Sequence, residues 1–206
     1  MRYTKTNSNS LLFTTLILLI IGCNKDNSLP SSNFQIFEIG SYFSGGVIGY
    51  IFNPGDQGYV EGETHGLIIA PKFLGPAPWG CIGKSISGTR YDVGKGLEST
   101  NAIIAGCSEK GIGARLCKDC NISGYRTWYL PTLDDLQKIR NNISKVDSAL
   151  AANGGQVLFT TQTYLSSTQV LGQGEQEQAM GFNFYYNDFE RIGKDEKLFV
   201  RAVKSF

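Results

Sequence analysis

The stretch Trp128-Tyr129-Leu130-Pro131-Thr132-Leu133-Asp134-Asp135-Leu136 decides how the rest of the chain is read. Pro131 presets the backbone for a helix start, the Thr132 hydroxyl can take up orphan amides of the first turn, and Asp135, three residues on, completes a capping box. Leu133, Leu136, Ile139 and Ile143 then line one face of the helix that this start predicts. Trp128, just ahead, is placed to pack beneath it.

Working outward, a second helical pattern lies upstream. Ile103, Ile104, Cys107, Ile112, Leu116 and Cys120 recur at near-helical spacing over 99–107 and 108–120, which predicts a short amphipathic helix broken around Gly111 and Gly113. On either side the pattern is that of strands. Residues 34–39 alternate apolar with polar, Gly45–Phe52 (GGVIGYIF) is an apolar run closed by Asn53-Pro54-Gly55, and Gly66–Ala70 (GLIIA) ends at Pro71. Residues 75–96 are rich in Gly and Pro and read as loop. From Val157 onward VLFTT, YLSST, FNFYY and LFVRAV are separated by polar segments and read as strands. The expectation is an α+β fold with two short helices packed on small antiparallel sheets and joined by long loops.

Composition agrees. The 206 residues include 25 Gly, with 12% aromatic and 18% charged side chains, a profile of a loop-rich extracellular β-containing domain. Formal net charge is +1, with no run of Lys or Arg, so the chain offers no electrostatic footprint for nucleic acid.

The first residues are of another kind. Arg2 and Lys5 precede an apolar run from Leu11 to Ile21 that stops at Ile20-Ile21-Gly22-Cys23, the pattern of a bacterial lipoprotein signal ending in a lipobox. The run is about half of the roughly 20 helical residues a membrane span needs. Cleavage before Cys23 and acylation of its thiol would leave an outer-membrane lipoprotein of the bacterial cell envelope, its membrane partner reached through the lipid. An ordinary secretory signal with a chance cysteine is the alternative. The expected organisation is a signal peptide at 1–22, a lipidated tether at 23–33, rich in Ser and Asn, and a single domain at 34–206. Losing Arg2 and Lys5 lowers the net charge from +1 to −1.

Four cysteines remain: Cys81, Cys107, Cys117 and Cys120. In an oxidising compartment an even number predicts disulfides. Cys107 and Cys117 would lie about 15 Å apart along a continuous helix, too far for a bridge, so Cys81 closes on Cys107 or Cys117. Cys107 is preferred, because that bond ties the Gly-rich loop to the helical segment. Cys117-Lys118-Asp119-Cys120 has redox spacing but no preceding strand of a thioredoxin-like unit. His65 is the sole histidine, too little to complete a zinc site or a catalytic triad. No metal ligand set, catalytic residue or cofactor motif is predicted.

Several of these residues recur together in a known pattern. Trp128-Tyr129-Leu130-Pro131-Thr132 with Asp134, Asp135 and Leu136, joined to Gly45-Gly46, His65-Gly66-Leu67-Ile68, Ala77-Pro78-Trp79-Gly80-Cys81, Gly106-Cys107-Ser108, Tyr164-Leu165-Ser166-Ser167-Thr168 and Val200-Arg201-Ala202-Val203, resembles the family defined by the C-terminal domain of the bacterial collagen-like adhesin Lcl. The likeness spans roughly residues 38–206. It implies a C-type-lectin-like fold related to the formylglycine-generating sulfatase-modifying enzymes, and function only weakly.

Candidate ligand contacts come from loops. Trp79 sits in a Gly/Pro loop, where a ring can stack on a sugar or bury a disulfide. Tyr185, Tyr186, Asn187 and Asp188, followed by Arg191, form an aromatic and polar hairpin tip, and Glu175-Gln176-Glu177-Gln178 lie in a Gly-flanked loop. Aromatic planes beside amides and carboxylates suit an extracellular polysaccharide or host glycan. The Glu-Pro-Asn, Gln-Pro-Asp and Trp-Asn-Asp signatures of calcium-dependent lectins are absent. A non-catalytic lectin-like binding or adhesion module is therefore the leading expectation. The alternatives are a formylglycine-generating type of oxidoreductase, whose late cysteine pair handles copper and oxygen, and an assembly subunit contacting a surface-protein partner. No cysteine follows Cys120, which disfavours the oxidoreductase.

Overall fold

A computed structural model describes residues 37–172 and 175–206. The signal segment 1–22, Cys23 and the tether 23–33 lie outside the described residues.

The elements begin with Tyr42–Phe43 (β1), Gly46–Ile51 (β2), Gly66–Ile69 (β3) and Pro76–Ala77 (β4). Four helices follow, Gly96–Gly106 (α1), Gly113–Asp119 (α2), Leu133–Asn141 (α3) and Ile143–Ala152 (α4). The chain closes with Thr163–Gln169 (β5), Gln178–Asn183 (β6), Asp188–Gly193 (β7), Leu198–Phe199 (β8) and Val203–Ser205 (β9). The fold is α+β.

One sheet runs β1-β2-β3-β9, antiparallel throughout, with Val47 opposite Ile69 and Leu67 opposite Ser205. Both faces of β2 and β3 are buried, which is why these strands are apolar runs instead of alternating ones. Gly46 is required here, because a Cβ would run into the Ile69 carbonyl of the paired strand. The other sheet runs β4-β8-β5-β6-β7 and is antiparallel except where β5 meets β8.

Two apolar cores flank the Trp128–Pro131 segment. Trp128 and Leu130 join Ile48, Ile68, Ile103, Ile112 and Val200, whereas Tyr129 joins Val47, Leu136, Ile139, Leu150, Phe182 and Val203. Alternation along an extended backbone sends neighbouring side chains to opposite sides, so three residues connect both cores. The segment is pinned by Tyr129 bonded both ways to Val203, by the Thr100 hydroxyl on the Leu130 amide at 3.0 Å, and by the Ser167 amide on the Pro131 carbonyl at 2.7 Å. The predicted cap forms. The Asp135 amide donates to the Thr132 hydroxyl at 3.1 Å and the Thr132 amide to the Asp135 carboxylate at 3.0 Å.

The described residues hold four helices, not two: the break expected around Gly111 and Gly113 separates α1 from α2, and the segment that starts after Thr132 divides as well. Cys107 is extended, ending α1, and the Arg115 guanidinium of α2 holds the break by donating to the carbonyls of Ile104, Cys107 and Glu109. Between α3 and α4, Asn142 turns the chain and donates its amide to the carbonyls of Lys138 and Gly49.

Three strand expectations are corrected. Residues 37–39 of the predicted first strand are irregular or turn. Val157–Thr161 is loop, held by side chains, with the Leu158 amide on Asp147 and the Phe159 amide on the Tyr164 hydroxyl. LFVRAV divides between the two sheets as β8 and β9. At that crossover the buried Arg201 donates to the carbonyls of Ala70, Gln156 and Val157, so one guanidinium ties the crossover to two loops.

Candidate functional site

The β6–β7 hairpin is built by its asparagines. The Asn183 carboxamide oxygen accepts from the amides of Tyr185 and Tyr186 at 3.0 and 3.2 Å, and Asn187 takes a φ of 55°, a left-handed conformation that asparagine tolerates. Asp188 accepts from the Phe189 amide at 2.8 Å. The turn thus uses Asn187 and Asp188 structurally and throws the tyrosine rings outward, 66% and 75% exposed and edge to face at 4.9 Å.

Below the tip, cross-strand partners share a face of the sheet. Phe189 lies opposite Phe182 and Arg191 opposite Met180, so Phe189 and Arg191 look toward the start of α3. With Tyr91, Leu133, Asp134 and residues 168–171 they line an open groove of about 530 Å³. Most of its polar groups are already engaged. The Thr168 hydroxyl donates to the Arg90 carbonyl, the Gln169 oxygen accepts from the Ile86 amide and the Lys194 ammonium, and Arg191 donates to Glu175 at 2.6 Å and to Gln178 at 3.4 Å. Two members of the Glu175–Gln178 loop, Glu175 and Gln178, are therefore engaged by Arg191.

Asp134 is the exception. Among the described residues its carboxylate has no cation within ion-pair distance, and the Lys138 ammonium one turn on lies over the Tyr50 ring, 5.5 Å from its centroid. Partial burial, then the neighbouring Asp92, raise its pKa above the ordinary value, and Lys138 only partly offsets this.

Trp79 is not at this surface. It is 1% exposed, in the core that holds Cys107, and the Lys194 ammonium stands 4.4 Å from its ring centroid. Lys194 is itself buried, donating to the Lys84 carbonyl at 2.6 Å and to Gln169 at 2.9 Å, and burial pulls its pKa down to about 8. The Gly/Pro loop that carries Trp79 folds inward because the Cys81–Cys107 disulfide, Cα atoms 5.8 Å apart, draws it onto α1.

The remaining reactive side chains are arranged for structure. Cys117 is buried, which pushes its thiol well up, and burial pushes Cys120 up to about 11 while its thiol donates to the Cys117 carbonyl at the end of α2. A thiolate needs the opposite environment. His65 contacts the Phe206 carbonyl at 2.9 Å and Glu63 at 2.7 Å, and these two acceptors, Glu63 first, raise its pKa. Cys81, Cys107 and Glu109 converge, but both sulfurs are consumed in the disulfide.

Tyr185, Tyr186, Asn187, Asp188 and Arg191 are thus brought onto one hairpin, apart from Trp79. Tyr91, Asp134, Leu171 and Phe189 are groove residues that the sequence reading missed. Phe189 and Arg191 were legible as a period-two pair in β7, whereas nothing local marks Tyr91, which arrives from the Gly-rich loop. No described helix is long and apolar enough to cross a membrane. No protein-family model matches the chain. No curated protein matches it either.

Proposed function

We propose that residues 34–206 form a non-catalytic binding module of the C-type-lectin-like kind, similar to the Lcl C-terminal family, held at the bacterial envelope by acylated Cys23. Its ligand is an extracellular glycan received at the β6–β7 hairpin. One observation carries this reading: the exposed rings of Tyr185 and Tyr186 stand at the tip of the β6–β7 hairpin, and the exposed rings of Phe189 and Tyr91 line the open groove below it. Rings so exposed contribute little to the core and offer faces on which pyranose C–H groups stack. The raised thiol pKa values of Cys117 and Cys120 support binding over thiol chemistry.

A glycan array probed with the full chain tests the ligand class. Binding that Tyr186→Ala weakens supports the reading, and silence across neutral, acidic and amino glycans refutes it. Metabolic labelling with a fatty-acid analogue tests the anchor: label on the wild type that is absent from Cys23→Ala is the expected result, and equal labelling of both ends the lipoprotein reading.

A further inference from the structure

We propose that the groove between α3 and β7 takes a cationic amino sugar, a pyranose bearing a free ammonium group, an assignment that rests on the glycan reading given above. The groove combines two features that one ligand satisfies together. Its walls are apolar and open: Tyr91, Leu171 and Phe189 are exposed, Phe189 by 61%, and Met180 lies partly buried beneath them. The exposed rings of Tyr91, from the Gly-rich loop, and Phe189, from β7, both line the space. The lining includes Asp134, a half-buried carboxylate without an ion-pair partner among the described residues, with the like-charged Asp92 in its neighbourhood. The charge of Arg191, also in the lining, is paired with Glu175 at 2.6 Å.

Of the two charged residues lining the groove, Arg191 is ion-paired and Asp134 is offset only in part by Lys138, so the free charge there is negative and the rings of Tyr91 and Phe189 share the lining with it. A neutral sugar would stack on the rings and donate hydroxyls to the carboxylate but leave its charge unneutralised, and an acidic sugar would be repelled by it. An ammonium group on the sugar forms a charge-assisted hydrogen bond to Asp134 while the pyranose face lies on Phe189 and Tyr91. The volume of about 530 Å³ admits a disaccharide unit.

The experiment is calorimetric titration of the full chain at neutral pH with two probes that share a backbone, the β1,4-linked glucosamine disaccharide and its di-N-acetylated form. The expected result is binding of the amine form at least about tenfold tighter, lost in Asp134→Asn and weakened by added salt, with the acetylated form indifferent to both. Phe189→Ala, at an exposed position, weakens both probes without moving the melting temperature. Equal or tighter binding of the acetylated disaccharide overturns the amino-sugar assignment and leaves the glycan reading standing. Failure of both probes also overturns it, and the glycan array then decides the broader reading by itself. The salt dependence on the wild type tests charge recognition without any variant, so misfolding of Asp134→Asn would not protect the proposal.

Discussion

The substitution Asp135→Asn should change the pH dependence of folding more than the stability at neutral pH. Asp135 is fully buried, and its carboxylate accepts from the Gly94 amide at 2.8 Å and the Thr132 amide at 3.0 Å. Burial, the largest influence, outweighs these bonds and raises its pKa from 3.8 to about 6. The folded state therefore binds a proton more readily than the unfolded chain, and this group adds stability below the unfolded pKa that is lost as the pH rises through about 6. With those two values the added stability is about 2 kcal/mol at pH 4 and almost nothing at pH 7. The carboxamide of the variant does not titrate. It keeps one acceptor oxygen and turns an amide N–H toward one of the two backbone donors, costing about 1–3 kcal/mol at any pH, which at neutral pH is offset by removal of a buried charge. The variant should thus be near wild type at pH 7 and about 2 kcal/mol worse, relative to wild type, at pH 4. Urea unfolding at both pH values, followed by the emission of the buried Trp79 and Trp128, measures the double difference, in which other titrating groups cancel. A difference of zero, or a variant that loses more at pH 7, would refute the reasoning.

Breaking the disulfide with Cys107→Ser should cost about 3 kcal/mol, because a crosslink across 26 residues restricts the unfolded chain; equal urea midpoints for variant and wild type without reductant would show that the bond adds nothing. Arg201→Lys should cost about 2 kcal/mol or more, since a single ammonium cannot span the carbonyls of Ala70, Gln156 and Val157, and a melting curve matching wild type would remove Arg201 from its clamping role. Tyr186→Ala should leave the melting curve in place while weakening an array-identified glycan by more than about 1 kcal/mol; full affinity with the ring removed would move the site off the hairpin.

What could be read from the residues alone was what neighbours within a few positions decide. The Thr132–Asp135 cap, the buried strands GVIGYI and GLII, and the Tyr185–Asp188 turn all follow from backbone preference and local side-chain hydrogen bonds. The Cys81–Cys107 bond was one of two options, with Cys107 preferred because it ties loop to helix. Tertiary packing decided the rest. The helix that starts after Thr132 divides where Asn142 reaches the Gly49 carbonyl of a distant strand, and LFVRAV divides because its two halves pair with different sheets. Trp79 illustrates the limit most directly: its loop has the composition of an exposed binding loop, yet a disulfide and a buried lysine draw the ring inside. The groove likewise joins Tyr91, Asp134, Leu171 and Phe189 from four separate segments, and no pattern along a chain records which exposed side chains will face one another across a space that forms only after the cores are packed.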